Sequence, residues 1–279
     1  MPLNERVATL ERPAVKPSLP NIFALLIGIN NYHDKRIVDL RYAEQDAQAF
    51  YKFLIDPQRG AVSPKRVKLL VGDFAPASSI EQKLKRTLRA SSPGDMVIIY
   101  TATHGVPDPE GGTELFFLSS DSNMDSLLKT SISKTDLEKM VSRYVSNRKI
   151  ILITDACHAG GIGMSSQLMA FSSRSIQQRT FRLLNKLATS HDGLGILSAS
   201  RANELSQEDS KWGGGHGVFT YYLIRGLGGE ADKSPSDGFV TLRELRDYLY
   251  DKVSASTSNL QTPELVGNYD PNLPIAIVR

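Results

Sequence analysis

Apolar residues in this chain follow two alternating periods. Short apolar runs, Phe23 to Ile29, Asp95 to Thr101, Ile150 to Ile153 and Gly195 to Ala199, have the length of strands, and Phe23 to Ile29 and Ile150 to Ile153 have the two-faced apolarity of strands buried inside a parallel sheet; Arg66 to Val71 reads as a further strand. Between them, apolar positions recur every three or four residues. Ala43, Ala47, Phe50 and Leu54 predict one amphipathic helix, and Ile80, Leu84 and Leu88 a second with Ser79 and Gln82 as its capping box. Leu137, Met140, Val141 and Tyr144 predict another, and Phe219, Tyr222, Leu223 and Leu227 one that follows the glycine cluster Gly213 to Gly215. A last helix starts at Thr241 with Glu244 as capping partner and presents Leu242, Leu245 and Leu249. Leu115 to Leu118 reads as a small hairpin piece and Pro274 to Val278 as an edge strand. Strands alternating with helices at this spacing predict an α/β fold, a doubly wound sheet with helices on both faces.

Composition adds bounds. A chain of 279 residues, 41% hydrophobic and 23% charged, can bury a sizeable core. Residues Met1 to Pro20 hold four prolines and no apolar period, which predicts an N-terminal tail ahead of one domain over residues 21–279. A net charge of +3 gives no argument for nucleic acid or a membrane surface. The apolar stretch Ile22 to Ile27 is far too short to span a bilayer, and Glu5, Arg6, Glu11 and Arg12 are unlike a signal peptide. The single cysteine excludes an intramolecular disulfide and fits a reducing compartment, so a cytoplasmic location is expected.

Candidate chemistry lies at the ends of two strands. The first runs through Ile153 into Thr154, Asp155, Ala156 and the lone Cys157. The second ends in Ala102, Thr103, His104 and Gly105. Ligands of open parallel sheets sit beyond the carboxyl ends of strands, so both loops open onto that edge. Alternation turns Asp155 and Cys157 one way, Ala156 and His158 the other. If the two strands are neighbours, His104 falls beside Cys157, as a thiol nucleophile requires. A histidine about fifty residues upstream of the cysteine is also the caspase spacing.

Asp155-Ala156-Cys157-His158-Ala159-Gly160 resembles the metacaspase motif Asp-Ser-Cys-His-Ser-Gly with two serines replaced by alanine, and Thr103-His104-Gly105 resembles Ser-Gly-His-Gly. The two in this order resemble the caspase, metacaspase and bacterial orthocaspase peptidases, the last most nearly, from about Ile22 onward. That resemblance implies a mostly parallel six-stranded sheet and a cysteine endopeptidase acting on protein or peptide substrates without metal or cofactor. It makes Cys157 the nucleophile and His104 its acid–base partner, with the N–H groups of Cys157 and Gly105 holding the oxyanion. The metacaspase aspartate two before the cysteine, which lines the pocket for the residue preceding the cut, is here Asp155. A second pocket aspartate is matched by Asp46, within Tyr42-Ala43-Glu44-Gln45-Asp46, roughly 70° off the centre of its helix's apolar stripe. Two carboxylates suit a guanidinium, so cleavage after arginine or lysine is expected. Caspases proper need an arginine-lined pocket for aspartate, for which Arg41 is the nearby candidate. Ala102 stands in place of a metacaspase pocket serine, and Ala43 in place of a frequent cysteine.

Between the cysteine strand and the next core strand, residues 163–192 carry only a weak helical period, around Phe181 to Leu187. By the resemblance this is an activation linker, with Arg174, Arg179 and Arg182 as processing sites for the enzyme itself or an upstream protease. His158 follows the nucleophile but faces away from it and reads as structural. His33, His191 and His216 have no partner at a recognisable spacing and read as surface or loop histidines, and zinc ligation by Cys157, His158 and His104 lacks paired ligands. The stretch Asp232 to Glu244 resembles a calcium loop but puts Lys233 and Pro235 where acids belong, and reads as a turn. Two other functions stay open: an inactive caspase-like scaffold or binding module, and a general α/β small-molecule hydrolase or flavodoxin-like regulatory domain.

Overall fold

The structure, a computed structural model, describes residues 19–145, 149–155, 178–201, 204–233 and 236–279. In chain order they form β1 (Ile22–Gly28), α1 (Ala43–Ile55), β2 (Val67–Val71), α2 (Ala77–Ala90), β3 (Met96–Ala102), β4 (Gly105–Pro107), β5 (Leu115–Leu118), α3 (Leu127–Thr130), β6 (Ser131–Ser133), α4 (Lys134–Val145) and β7 (Lys149–Thr154). After the helical residues 178–188, here α5, come β8 (Leu194–Ser198), β9 (Glu208–Asp209), β10 (His216–Gly217), α6 (Val218–Arg225), β11 (Phe239–Thr241), α7 (Leu242–Ser256), β12 (Glu264–Gly267) and β13 (Pro274–Ile277).

Six strands make the central sheet, in the order β12-β8-β7-β3-β1-β2. Five run parallel, and β12 closes one edge antiparallel to β8. The chain lays β2 on one side of β1 and β3 on the other, so the winding reverses at β1 and opens a crevice at the carboxyl ends. The strands that carry the two chemical loops, β3 and β7, are neighbours in register from Met96–Lys149 to Thr101–Thr154.

Side-chain alternation divides the buried interior in two. Ala24, Leu26, Ile98, Tyr100, Ile151 and Ile153 face α1, α6 and α7, whereas Leu25, Ile27, Val97, Ile99, Ile150 and Leu152 face α2 and α4. Each such large side chain contributes about 2 kcal/mol by leaving water, which is why the strands are apolar on both sides. Gly28 ends β1 where α1 comes closest: a Cβ there would lie 2.3 Å from the Ala43 carbonyl oxygen. That close approach brings the start of α1, and with it Asp46, up against the sheet.

Several expectations need correction. α2 starts at Ala77 behind Pro76 with no side-chain cap of its own, and the Ala77 N–H donates instead to Asp121 Oδ1 at 2.9 Å. The predicted Ser79/Gln82 box therefore lies one turn too late. β12 was not foreseen, because four residues of mixed polarity carry no period. β13 pairs with β11 in a separate two-stranded sheet. The weak helical period read around Phe181 to Leu187 corresponds to the helix α5, which buries Thr180, Leu184, Leu187 and Ala188. The Thr241/Glu244 capping box of α7 is present in both directions. Near its start Asp232 accepts the N–H groups of Asp237 and Gly238, making the expected turn. Among the described residues no helix is long and apolar enough to cross a membrane.

Candidate active site

His104 leaves β3 through Thr103 and is buried. Tyr32, in the loop after β1, stacks on its ring with centroids 5.4 Å apart and planes 27° apart. The Thr103 hydroxyl donates to the Leu118 carbonyl at 2.7 Å, so at 2.8 Å it accepts from the Tyr32 hydroxyl. The Tyr32 oxygen in turn accepts the His104 N–H at 3.1 Å. Nε2 of the imidazole lies 2.7 Å from the carbonyl oxygen of Val38. A carbonyl can only accept, so Nε2 carries a hydrogen and Nδ1 is the ring nitrogen able to gain and lose a proton.

Asp155 continues β7: its N–H donates to the Thr101 carbonyl at 2.9 Å, one step beyond the last strand pair. Its side chain extends the face of Ile151 and Ile153 and is buried. Oδ2 accepts from the Thr220 hydroxyl at 2.8 Å, and that hydroxyl is 2.7 Å from Tyr100 Oη. Asp46 comes to the same place from the first turns of α1, with Oδ1 2.6 Å from His216 Nδ1 and Oδ2 accepting the Gly217 N–H at 3.0 Å. The two carboxylates converge on Gly217. A Cβ there would lie 2.9 Å from Asp155 Oδ2 and 3.0 Å from Asp46 Oδ2, so only glycine leaves the space between them open.

The pocket so formed is lined by Leu40, Ala43, Ala102, Gln207 and Glu208 together with the two aspartates. Glu208 adds a third carboxylate. It accepts the Arg41 and Tyr42 N–H groups at 3.2 Å, at the mouth of a helix whose own N-cap residue supplies no side-chain bond. Burial pushes the Asp46 carboxyl up, opposed by the His216 ring and the Gly217 N–H. Burial, followed by the charge of Asp46, pushes Asp155 up to about 7, against hydrogen bonds from Thr220 and Ser206. The cavity holds three carboxyl groups and, among its described lining residues, no basic side chain. Arg41 is not among its lining residues.

Of the residues nominated from the sequence, Asp46 and Asp155 are brought together, and His104 stands at the end of the strand beside Asp155. Cys157, His158 and Arg174 lie outside the described residues, as do residues 1–18 of the expected tail and 163–177 of the linker. Arg179 and Arg182 sit on α5, and the Arg179 guanidinium donates to the carbonyls of Asp108, at 3.1 Å, and Gly112. His33 is exposed near Asp73. His216, expected to be a loop histidine without a partner, is instead paired with Asp46. Glu208, His216 and Gly217 escaped sequence reasoning because their partners are far away in the chain. The preceding glycine cluster was the only local signal of an unusual loop.

Residues 22–271 match the family model of the caspase domain. Metacaspase-4 of Arabidopsis thaliana is 24% identical over 151 residues, 50% of this chain and 34% of that protein. Metacaspase-7 of the same plant is 26% identical over 150 residues, 50% of this chain and 35% of that protein. The chain thus spans about a third of the length of these curated relatives. The crystal structure of protein GSU0716 from Geobacter sulfurreducens superposes with a TM-score of 0.62 at 19% identity, covering 93% of this chain and all of that one, a likeness of fold. With the family model spanning nearly the whole fold, the chain belongs to the caspase-domain family of cysteine peptidases.

Proposed function

We propose that this chain is a cysteine endopeptidase that cuts protein or peptide chains after arginine or lysine. The observation that carries the specificity is the convergence of Asp46 and Asp155 on Gly217, with Glu208 at the mouth of the same pocket. A guanidinium carries five donors in a planar fork and can engage two carboxylates at once; an ammonium brings the same charge with three donors. Aspartate before the cut would meet three acids.

Cys157, two residues beyond Asp155, is the nucleophile in this reading. His104 takes the thiol proton on Nδ1, its Nε2–H being committed to Val38, and the resulting imidazolium stabilises the thiolate. The thiolate adds to the scissile carbonyl, and the N–H groups of Gly105 and Cys157 receive the oxyanion. The imidazolium then protonates the departing amine, leaving a thioester. Water, deprotonated by the same ring, releases the acid product and restores the thiol. The caspase-domain family match and both retained residues favour this over an inactive scaffold.

Fluorogenic peptides identical except for the residue before the cut test the proposal. Arg should be cleaved fastest, Lys more slowly, and Asp and norleucine scarcely at all. Faster turnover of the Asp peptide would overturn the specificity, and the absence of any thiol-dependent turnover would overturn the enzyme.

A further inference from the structure

The carboxylate pocket has a back wall with no part in the chemistry above. It is built by β10, whose two residues pair antiparallel with β9: His216 opposite Asp209 and Gly217 opposite Glu208. This two-residue ladder touches Asp46 twice. His216 Nδ1 reaches Oδ1 at 2.6 Å and the Gly217 N–H reaches Oδ2 at 3.0 Å, one contact on each oxygen. Two donors fixed to adjacent residues of one strand stop the carboxylate from turning about its last side-chain bond. Asp46 is almost wholly buried (4% of the side chain accessible), so the rotation is not restored by water. The His216 side chain is 20% accessible, and its other side lines an open groove bordered by Lys52, Asp56, Arg59 and Arg225. The imidazole is therefore a partition, with the pocket's acid on one side and solvent on the other.

We propose that His216 is the positioning residue of this pocket, holding Asp46 from behind so that its lone pairs already face an incoming guanidinium. The inference rests on reading the pocket as the seat of a basic side chain. Without the imidazole, Oδ1 would be a buried acceptor with no donor, and the carboxylate would swing or take up a proton, either of which lowers its attraction for a cation. The reacting bond is not touched by His216, so its removal should appear in substrate binding and not in the chemical step.

The experiment compares His216→Ala and His216→Asn with the parent on the Arg peptide. The asparagine amide can stand where Nδ1 stands and donate the same bond. His216→Ala should raise KM about tenfold, the cost of one unpartnered buried acceptor, and leave kcat within about twofold. His216→Asn should bring KM back to near the parent value. As a readout free of catalysis, agmatine, a small guanidinium compound, should shift the His216 imidazole NMR signals of the parent enzyme on binding. An unchanged KM in His216→Ala, or a loss in kcat that His216→Asn does not repair, would overturn the inference, as would agmatine binding with unmoved His216 signals. The parent's own preference for Arg over its norleucine twin checks the underlying pocket reading separately, because that comparison involves no His216 variant. No such preference would sink both.

Discussion

Asp155 stands under opposed influences, and they decide how this site responds to pH. Burial and the neighbouring Asp46 raise its carboxyl to about 7, while Thr220 and Ser206 hold the charged form. In the unfolded chain the same group titrates near 3.8. Between those values the folded state binds the extra proton, so stability falls as pH rises through the window and levels off above about 7. Asp155→Asn keeps an acceptor for Thr220 but cannot ionise. Thermal melts should therefore show it gaining stability over the parent at pH 8 and losing that advantage at pH 4; an equal offset at both would refute the account. Substrate binding runs the other way, since a cation prefers the ionised pocket: KM for the Arg peptide should fall as pH rises through about 7, a limb absent from Asp155→Asn. At this scale the aspartates were legible because motifs carry them. His216 and Glu208 were not, since a side chain whose partner lies 170 and 167 residues away leaves no local period or spacing.

Among elements, the short β9–β10 ladder does more for the pocket than its length suggests. It carries Glu208 to the N–H groups of Arg41 and Tyr42 just ahead of α1, His216 to the back of Asp46, and Gly217 into the gap between the aspartates. Gly217→Ala puts a methyl group into that gap, against oxygens already held by hydrogen bonds. Cleavage of the Arg peptide should drop at least about tenfold in kcat/KM, while overpacking costs about 1–3 kcal/mol and leaves the chain folded. Parent-like cleavage by a folded Gly217→Ala protein would show that the gap is not where the substrate side chain sits. Elements of this kind are hard to read in advance. The long strands and α1, α4 and α7 declare themselves by repeated apolar spacing, and Thr241 with Glu244 marks a helix start through local bonds alone. Two-residue β9 and β10 and four-residue β12 are too short to show a period, and α2 takes its first donor's partner from Asp121, 44 residues on. What tertiary contact supplies, the local sequence does not announce.

At the scale of the molecule, the reversal of winding at β1 brings the carboxyl ends of β1, β3 and β7 to one crevice, and the proposed control of the site concerns what joins β7 to β8. That connection holds Arg174, Arg179 and Arg182, all nominally suited to an arginine-directed peptidase. Proteases bind the segment they cut as an extended strand, so helical residues must unwind first. Arg179 and Arg182 belong to α5, whose Leu184, Leu187 and Ala188 are packed into the core, and the Arg179 guanidinium is tied to backbone carbonyls of the segment after β4. Cutting there would have to dismantle a packed helix. Arg174, between Ser173 and Ser175 in the sequence, lies outside the described residues and is the one of the three not seen in the packed part of α5, so it is the candidate proposed for processing. Intact-mass analysis of the purified parent should therefore find a break after Arg174 and none after Arg179 or Arg182, and Cys157→Ala should stay a single chain if the cut is the enzyme's own. Cys157→Ala should also lose turnover of the Arg peptide with an unchanged melting temperature, because exchanging a thiol for a hydrogen removes the nucleophile and little packing. Arg174→Gln then separates processing from chemistry. If it stays uncut and gains activity only when an engineered site at the same position is cleaved, the break is the switch; full activity of an intact parent would show that the enzyme works without it.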